Sequence, residues 1–320
     1  MAERAGIIGQ DGRHGDSRFT LGVHRFKGQI HLQMMTLPGI AFLLIFSYIP
    51  MIGLVVAFQD YRITLGYLHS PFAGLKYFRE MVGDPAFWPA FRNTVLLSLY
   101  GIVIGFPAPI ILALILNEIP HLRFKRFVQT ASYLPYFISY VVVAAMWIML
   151  LSSRGLVNQM LLALGIVKAP VDFLTNPGIW RGLATGVNIW KGVGWSAIIY
   201  LAAITSIDAE LYEAAVIDGA GRLRRIVSIT LPNMVGIISV LLILRMGSLV
   251  RASLDTSYLL GNYFTRSTSY VLEYYTLEMG LELGRYSFAT AIGISQSILA
   301  LILVLGANWA SGRISGRRIF

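Results

Sequence analysis

Six long apolar stretches with almost no charged residues constrain the fold of this 320-residue chain more than any other feature. They cover residues 36–58, 93–117, 127–153, 182–207, 231–250 and 286–312. Each reaches the roughly 20 residues that a helix needs to cross about 30 Å of hydrocarbon. Because apolar runs of this length lack the alternation of barrel strands, they predict helices. The expected fold class is an all-α membrane protein with six transmembrane helices.

The composition agrees with a membrane protein and excludes two other classes. Hydrophobic residues make up 56% of the chain and charged residues 13%, against about 25% charged in soluble proteins. Too few charges remain to cover a soluble surface, and intrinsic disorder needs the opposite balance. The net charge of +10 then indicates loops that face an anionic leaflet, and no nucleic-acid partner is expected.

The basic residues in the loops predict that both termini are cytoplasmic. With that orientation, the shorter inner segments hold more Lys and Arg than the longer outer loops, as the positive-inside rule requires. The expected organisation is a cytoplasmic N-terminal segment (1–35), a six-span domain (36–312) and a cytoplasmic tail (313–320). Segment 23–35 is either a short amphipathic helix at the membrane interface or a tail without a function.

No catalytic machinery is visible in the sequence. The chain has no cysteine, which excludes disulfides, thiol nucleophiles and cysteine-ligated metals. Its five histidines lack the spacing of a zinc site, and no glycine-rich phosphate loop is present. We therefore expect a chain that is not an enzyme, holds no cofactor or metal, and does not hydrolyse ATP itself.

The loop between the fourth and fifth stretches, residues 208–232, has a pattern of its own. Its first half is rich in helix-forming residues and ends at Gly219 and Gly221. A second short helix is predicted up to Pro232, where the fifth span is expected to begin. The small residues Ala214 and Ala215 suit a surface that docks into another molecule. The prediction is a helix–turn–helix on the cytoplasmic face.

This loop resembles the EAA loop of binding-protein-dependent ABC importer permeases. The matching residues, with both spacers, are Glu213, Ala214, Ala215, Gly219, Ile229, Leu231 and Pro232. In that family the loop forms a coupling helix that sits in a cleft of a separate ATPase subunit. The resemblance implies that Glu213 contacts the ATPase and that Gly219 makes the turn. An interfacial amphipathic hairpin is the alternative.

Further motifs resemble the maltose-type oligosaccharide permeases of this family. They lie at residues 46–50, 57–61, 74–78, 129–135 and 286–290. The overall pattern is most similar to the polysaccharide subgroup and resembles a membrane subunit of the bacterial alginate importers. A carbohydrate substrate is favoured over an amino acid or a metal ion.

The resemblance also implies a set of partners and a location. An ATPase homodimer would bind ATP and Mg, and an external solute-binding protein would deliver the oligosaccharide. Because one chain offers one coupling loop and an ATPase dimer has two clefts, a second permease subunit is needed. The resemblance implies a heterodimer with a related chain, although the sequence itself leaves a homodimer open. The expected location is the bacterial cytoplasmic (inner) membrane.

Two basic residues interrupt the apolar stretches near the middle of the bilayer. Lys191 lies roughly 15 Å deep in the fourth stretch, and Arg245 lies roughly 20 Å into the fifth. Such a residue costs about 2.5–3.5 kcal/mol to insert, so it usually faces a bundle interior or a wet path. No Asp or Glu lies in any stretch, so their partners are carbonyls, water, a neighbouring subunit or a substrate. An anionic sugar such as alginate fits. Snorkelling or a polar contact between subunits stays open.

Aromatic residues suggest two further sites. Trp190 and Trp195 flank Lys191 and could stack on sugar rings along the path, or could simply face lipid. The loop before the last stretch is aromatic and acidic, with Tyr274, Tyr275 and Glu278. We expect the binding protein to dock there, although a plain solvated loop is the alternative.

Two other functions compete with an ABC importer permease. An ion-coupled secondary transporter of sugars is disfavoured because no carboxylate lies within a stretch. A membrane-embedded enzyme is disfavoured because no nucleophile–base pair or metal constellation is present.

Overall fold

A computed structural model describes residues 30–249 and 254–314, which are almost entirely helical. The α-helices are α1 Ile30–Leu43, α2 Ile49–Met51, α3 Gly66–His69, α4 Lys76–Gly83, α5 Phe87–Tyr100, α6 Pro107–Glu118, α7 Leu122–Tyr133, α8 Tyr140–Leu151, α9 Leu156–Ala163, α10 Pro177–Thr205, α11 Ala209–Ile217, α12 Arg222–Arg225, α13 Leu231–Leu249, α14 Leu254–Leu260, α15 Arg266–Ser269, α16 Leu272–Leu277 and α17 Tyr286–Ile314. Among these residues, the β-structure is a single bridge between Gln59 and Phe72.

Short π-helical and 3₁₀ turns join several of these helices. The π turns are Leu44–Tyr48, Gly101–Gly105, Ile226–Thr230 and Glu278–Glu282, and the 3₁₀ turns are Ile52–Phe58 and Leu134–Phe137. Within the described residues, six helical segments are long and apolar enough to cross a membrane: Gln33–Phe58, Phe87–Glu118, Tyr140–Ala163, Pro177–Thr205, Arg222–Ser248 and Tyr286–Trp309. We call them spans one to six. The predicted all-α fold with six spans is confirmed.

The chain divides into two compact units, up to Val55 and from Val56 onward. In the first unit, the described residues form helices whose apolar side chains are exposed, as expected of a surface that faces lipid. In the second unit, spans two and four pack along each other around Ala113, Ala197 and Tyr200. Span six packs on α4, α5 and α16 through Phe288 and Ile292.

Two predicted span boundaries are wrong. Stretch 127–153 is not one helix, because α7 ends at Tyr133, the chain turns through Leu134–Phe137, and α8 starts at Tyr140. Pro135 cannot donate a helical hydrogen bond, and the Ser139 hydroxyl caps the next helix by accepting from the Val142 amide at 3.4 Å.

Span five does not begin at Pro232. It is helical from Arg222, through the π turn, to Leu249, and Pro232 lies one residue inside α13. The π turn accommodates the missing amide hydrogen bond, so the proline does not break the helix. The loop's second helix is thus the first part of span five. Most of segments 1–35 and 313–320 lies outside the described residues, although the helix of span one already starts at Ile30.

Candidate functional site

A cavity of about 560 Å³ lies within the second unit. The cavity is lined by residues of span two, of the break before span three and the first residue of that span, of spans four and five, and of α14. Its volume is in the range of small-ligand sites. The polar and aromatic lining residues are Tyr136, Tyr140, Thr185, Asn188, Lys191, Trp195, Ser196, Tyr200, Arg245, Ser248 and Asp255. Lys191, Arg245 and Trp195, three of the four residues predicted for a substrate path, all line this cavity.

Lys191 is buried, and its ammonium has partners within the chain. Its Nζ donates a 2.8 Å hydrogen bond to the backbone carbonyl of Tyr136. It also lies 4.8 Å from the ring centroid of Tyr140 and 5.5 Å from that of Tyr136, at distances where a cation is attracted to an aromatic face. The Tyr136 carbonyl is free because it lies in the break between α7 and α8. A carbonyl was one of the partners expected from the sequence.

The break before span three is held against span four by close contact. A Cβ atom placed on Gly194 would lie 2.1 Å from the carbonyl oxygen of Ser132, so any other residue would clash with the end of α7. One residue further, the Trp195 ring stacks on Tyr136 with centroids 4.7 Å apart and planes 6° apart. Unwound backbone at membrane depth is tolerated where it lines a cavity, as it does here.

Trp190, the second tryptophan predicted for the path, is not among the residues that line the cavity. Its ring meets Trp147 edge to face at 5.7 Å and packs beside the buried residues Val143 and Val187. Helical geometry explains the difference, because Trp195 lies four residues after Lys191 on the same face of span four, whereas Trp190 points to a neighbouring face.

Arg245 is exposed to the cavity from span five. Within the described residues, no carboxylate oxygen lies within 4.0 Å of its guanidinium. Sequence reasoning missed Asp255, the acidic residue among those that line the cavity. It escaped notice because it belongs to α14, a helix of seven residues that is too short to cross a membrane.

A second feature that the sequence did not reveal joins three elements beside the cavity. The Asn188 side-chain oxygen accepts hydrogen bonds of 2.9 Å from the Tyr140 hydroxyl and from the Thr256 hydroxyl. Asn188 thereby ties α8 and α14 to span four. An Asn in an apolar stretch is the signal that could have predicted such a contact, since a polar group at this depth needs partners.

Residues 208–232 contain the predicted helix–turn–helix, and its second helix, α12, continues into span five. Asp208 caps α11, because its carboxylate accepts a 3.0 Å hydrogen bond from the Glu210 amide. Gly219 adopts a positive φ of 74°, a conformation that glycine reaches without strain, and the chain turns there into α12. The Tyr212 and Thr230 hydroxyls share a 2.9 Å hydrogen bond that ties α11 to the start of span five.

The EAA-type residues of this loop are arranged on an open surface. Glu213 and Ala214 are exposed, and Ala215 is partly buried. Around them Leu211, Ile217 and Leu223 are 47%, 86% and 74% exposed. These apolar side chains form an exposed patch that suits contact with lipid or with another protein. Of the remaining motif residues, Ile229 and Leu231 are partly buried near the start of span five, and Pro232 is exposed.

The three residues predicted to dock a binding protein do not form one open surface. Tyr275 is fully buried against Phe288, so its side chain cannot reach a partner. Glu278 binds Arg266 through both carboxylate oxygens and accepts a hydrogen bond from Tyr270. Burial, together with that hydrogen bond, raises the pKa of Tyr270 and keeps its hydroxyl protonated. Tyr274 is partly buried between Tyr258 and Tyr270.

No group of three or more His, Asp or Glu residues within the described ranges is placed to hold a metal ion. The arrangement instead offers a polar, aromatic cavity with two basic side chains, and an exposed helical loop between the two spans that carry them.

Comparisons with known proteins place these features in a family context. Residues 105–316 match the family described as "Binding-protein-dependent transport system inner membrane component". The chain is 43% identical over 281 residues to the polygalacturonan/rhamnogalacturonan transport system permease protein YteP of Bacillus subtilis (strain 168), with 88% of this chain and 87% of that protein covered. Protein LplB of the same organism is 38% identical over 290 residues, with 90% and 91% covered.

Two crystal structures are similar over nearly the whole chain. One is of a bacterial ABC transporter involved in the import of the acidic polysaccharide alginate, with a TM-score of 0.82, 41% identity, and 91% of this chain and 98% of that chain covered. The other is of a bacterial alginate ABC transporter in complex with an alginate pentasaccharide-bound periplasmic protein, with a TM-score of 0.83, 40% identity, and 92% and 99% covered.

Proposed function

Because the chain belongs to the family of binding-protein-dependent transport system inner membrane components, we propose that its cavity carries acidic oligosaccharides across the membrane. The chain is a multi-pass permease subunit of an oligosaccharide ABC importer in the cytoplasmic membrane, and it works with a solute-binding protein. This assignment excludes the ion-coupled secondary transporter and the membrane-embedded enzyme.

The observation that carries the acidic specificity is the presence of Lys191 and Arg245 in one cavity. At an effective dielectric of about 20, a charge pair near 4 Å is worth roughly 4 kcal/mol before desolvation. Desolvation of the sugar carboxylate offsets much of that gain, which leaves about 1 kcal/mol per site. The similar transporter for alginate, an acidic polysaccharide, supports the same specificity.

The aromatic pair beside Lys191 gives the sugar ring a surface to stack on. Trp195 and Tyr136 are parallel, exposed to the cavity and rigidly placed by the contact at Gly194. Apolar C–H faces of sugar rings pack on such aromatic planes. We assign Trp195 to the path and leave Trp190 out of it.

The geometry of spans four and five supports a mechanism for coupling. The loop at 208–232 joins the span that carries Lys191 to the span that carries Arg245. The distance from Glu213 back to Lys191 is 22 residues, or roughly 33 Å along helices. In this proposal the loop faces the cytoplasm, with both termini on that side, and Glu213 and Ala214 contact an ATPase that holds ATP and Mg. Closure of the ATPase dimer moves both cavity-lining spans.

A second, related permease subunit completes the proposed complex. This chain supplies one EAA-type loop, whereas an ATPase homodimer has two clefts to fill. We propose a heterodimer, and the exposed apolar residues of the described spans are consistent with burial against lipid and against that subunit.

For the binding protein, the loop between spans five and six remains the proposed docking site, with a change of residues. Tyr263 and Phe264 are 87% and 66% exposed and adjoin the Arg266–Glu278 pair. Exposed aromatics beside charged groups suit protein recognition. In this proposal the partly buried Tyr274 and Glu278 hold the exposed residues in place, and the buried Tyr275 makes no contact with the binding protein.

The acidic specificity is tested by removing each cavity charge. Lys191→Met and Arg245→Met are measured for uptake of a uronic-acid oligosaccharide and of its methyl ester, in complexes with the same ATPase and binding protein. The matched controls are Lys168→Met and Arg154→Met, which alter exposed residues outside the cavity. We expect each cavity variant to lose several-fold in apparent affinity for the acidic sugar and little for the ester. Equal losses for both sugars in assembled complexes would contradict the specificity.

A further inference from the structure

Asp255 places a carboxylate in a cavity whose proposed cargo also carries carboxylates. It is exposed and lines the cavity together with Lys191 and Arg245. It lies close enough to Lys191 and Tyr140 to interact with both through space. No Lys or Arg nitrogen of the described residues comes within 4.0 Å of it, so its charge is not cancelled by a contact ion pair there.

The backbone around Asp255 is firmly anchored. The next residue, Thr256, is buried and donates its hydroxyl to Asn188 of span four. Ser257 and Leu260 are buried as well, and Leu260 packs with Val143 and Val187 of spans three and four. Helix α14 therefore cannot turn away from the cavity without breaking these contacts. A carboxylate held there acts on every ligand that enters.

From this placement we infer that Asp255 is a specificity-determining residue that limits how tightly the cavity holds a sugar carboxylate. The inference rests on the proposed function. Asp255 offsets part of the positive field of the two basic residues and repels a second carboxylate. A transport path must bind its cargo well enough to admit it and weakly enough to release it. Two basic residues without an opposing charge would favour retention over release.

The test is Asp255→Asn, which keeps the shape and removes the charge. Uptake is measured for a uronic-acid oligosaccharide and its methyl ester of equal length, in proteoliposomes with the same ATPase and binding protein. Since the binding protein is common to all variants, its own preference cancels in the ratio of variant to wild type. Asp172→Asn, in the exposed loop between spans three and four, is the matched control.

We expect the KM for the acidic sugar to fall about five-fold in Asp255→Asn, which corresponds to about 1 kcal/mol. The maximal rate should fall with it because release slows, while the ester and the control change little. Asp255→Glu should restore the wild-type ratio. The inference is overturned if the wild type prefers the acidic sugar and Asp255→Asn has the same ratio of KM for the acidic sugar to KM for the ester.

A readout without sugar separates this inference from the proposed function. Melting temperatures of the purified complex are compared for Arg245→Met, Asp255→Asn and the double variant. If the charges of Asp255 and Arg245 offset each other, the double variant loses less melting temperature than the two single variants lose together. If the wild type shows no preference for the acidic sugar, the proposed function fails and this cycle decides the role of Asp255. Additive losses then overturn it.

Discussion

Gly194 of span four touches the end of α7 so closely that a Cβ atom would lie 2.1 Å from the Ser132 carbonyl oxygen. Lys191 and Trp195 lie three residues before it and one after, on the same face of the helix. All three contact the broken segment, through backbone packing, the hydrogen bond to Tyr136 and the stacked ring. This single face of span four therefore fixes one wall of the cavity.

Gly194→Ala should damage this wall. The clash is with backbone atoms, which cannot move aside like a flexible side chain, so we expect a loss of about 1–3 kcal/mol or a failure to assemble. The measurement is the melting temperature and the yield of the purified complex. Gly186→Ala is the control, because no atom lies within 4 Å of a Cβ there and alanine favours the helix. A Gly194→Ala complex as stable as the control would contradict the close contact.

Asn93 joins span two to span four and to the loop before span six. Its buried amide nitrogen donates 3.0 Å hydrogen bonds to the carbonyls of Ser267 and Tyr270, and its oxygen accepts one of 2.8 Å from Arg181. Asn93→Leu leaves these partners unsatisfied, so we expect a loss of about 1–3 kcal/mol.

Thermal unfolding of the complex measures this loss. Ser98→Ala is the control on the same helix, since the buried Ser98 hydroxyl has no hydrogen-bond partner among the described residues and its removal should cost little. Equal melting temperatures for the two variants would show that the hydrogen bonds of Asn93 do not stabilise the complex.

Glu213→Ala should uncouple ATP hydrolysis from transport. Glu213 is exposed on α11 beside Ala214, on the surface that we assign to the ATPase. The measured quantities are the ATPase rate with and without loaded binding protein, and the sugar taken up per ATP. We expect uptake to fall at least ten-fold, whereas Glu210→Ala, an exposed glutamate on the same helix, should keep most of it. Normal uptake by an assembled Glu213→Ala complex would remove the coupling role.

Gly219→Val tests whether coupling requires the backbone conformation of the turn, because a side chain there would meet no other atom. Its φ of 74° strains any β-branched residue, at a cost of roughly 1–2 kcal/mol. Gly221→Val is a sharp control, because no atom lies within 4 Å of a Cβ at either glycine and Gly221 has a φ of −67°. We expect the first variant, and not the second, to lose uptake or release the ATPase. Similar behaviour of both would show that the turn tolerates distortion.

The sequence predicted the features that depend on composition and local pattern. Six apolar stretches gave six spans because backbone groups in lipid must be satisfied within a helix. The turn at Gly219 followed from local residue preferences, which act within a few positions of the chain. The cap at Asp208 was not predicted, although Asp is a favoured residue at the start of a helix.

The remaining features depend on contacts between distant elements. Tyr136 and Lys191 are 55 residues apart, and nothing local shows that a break in one segment supplies the carbonyl for the other. The burial of Tyr275 reflects the packing of α16 on span six, whereas its neighbour Tyr274 is only partly buried. Asp255 was missed because its short helix lies outside the apolar stretches that drew attention to the membrane.

The most direct test of the account is ATP-driven uptake of a labelled uronic-acid oligosaccharide into proteoliposomes that contain this chain, its partner permease and the ATPase. The account predicts accumulation that requires ATP and the loaded binding protein, and that is several-fold greater than for the methyl ester at limiting concentration. Accumulation that is equal for the two sugars would contradict the acidic specificity. Accumulation that persists without ATP would contradict the importer mechanism itself.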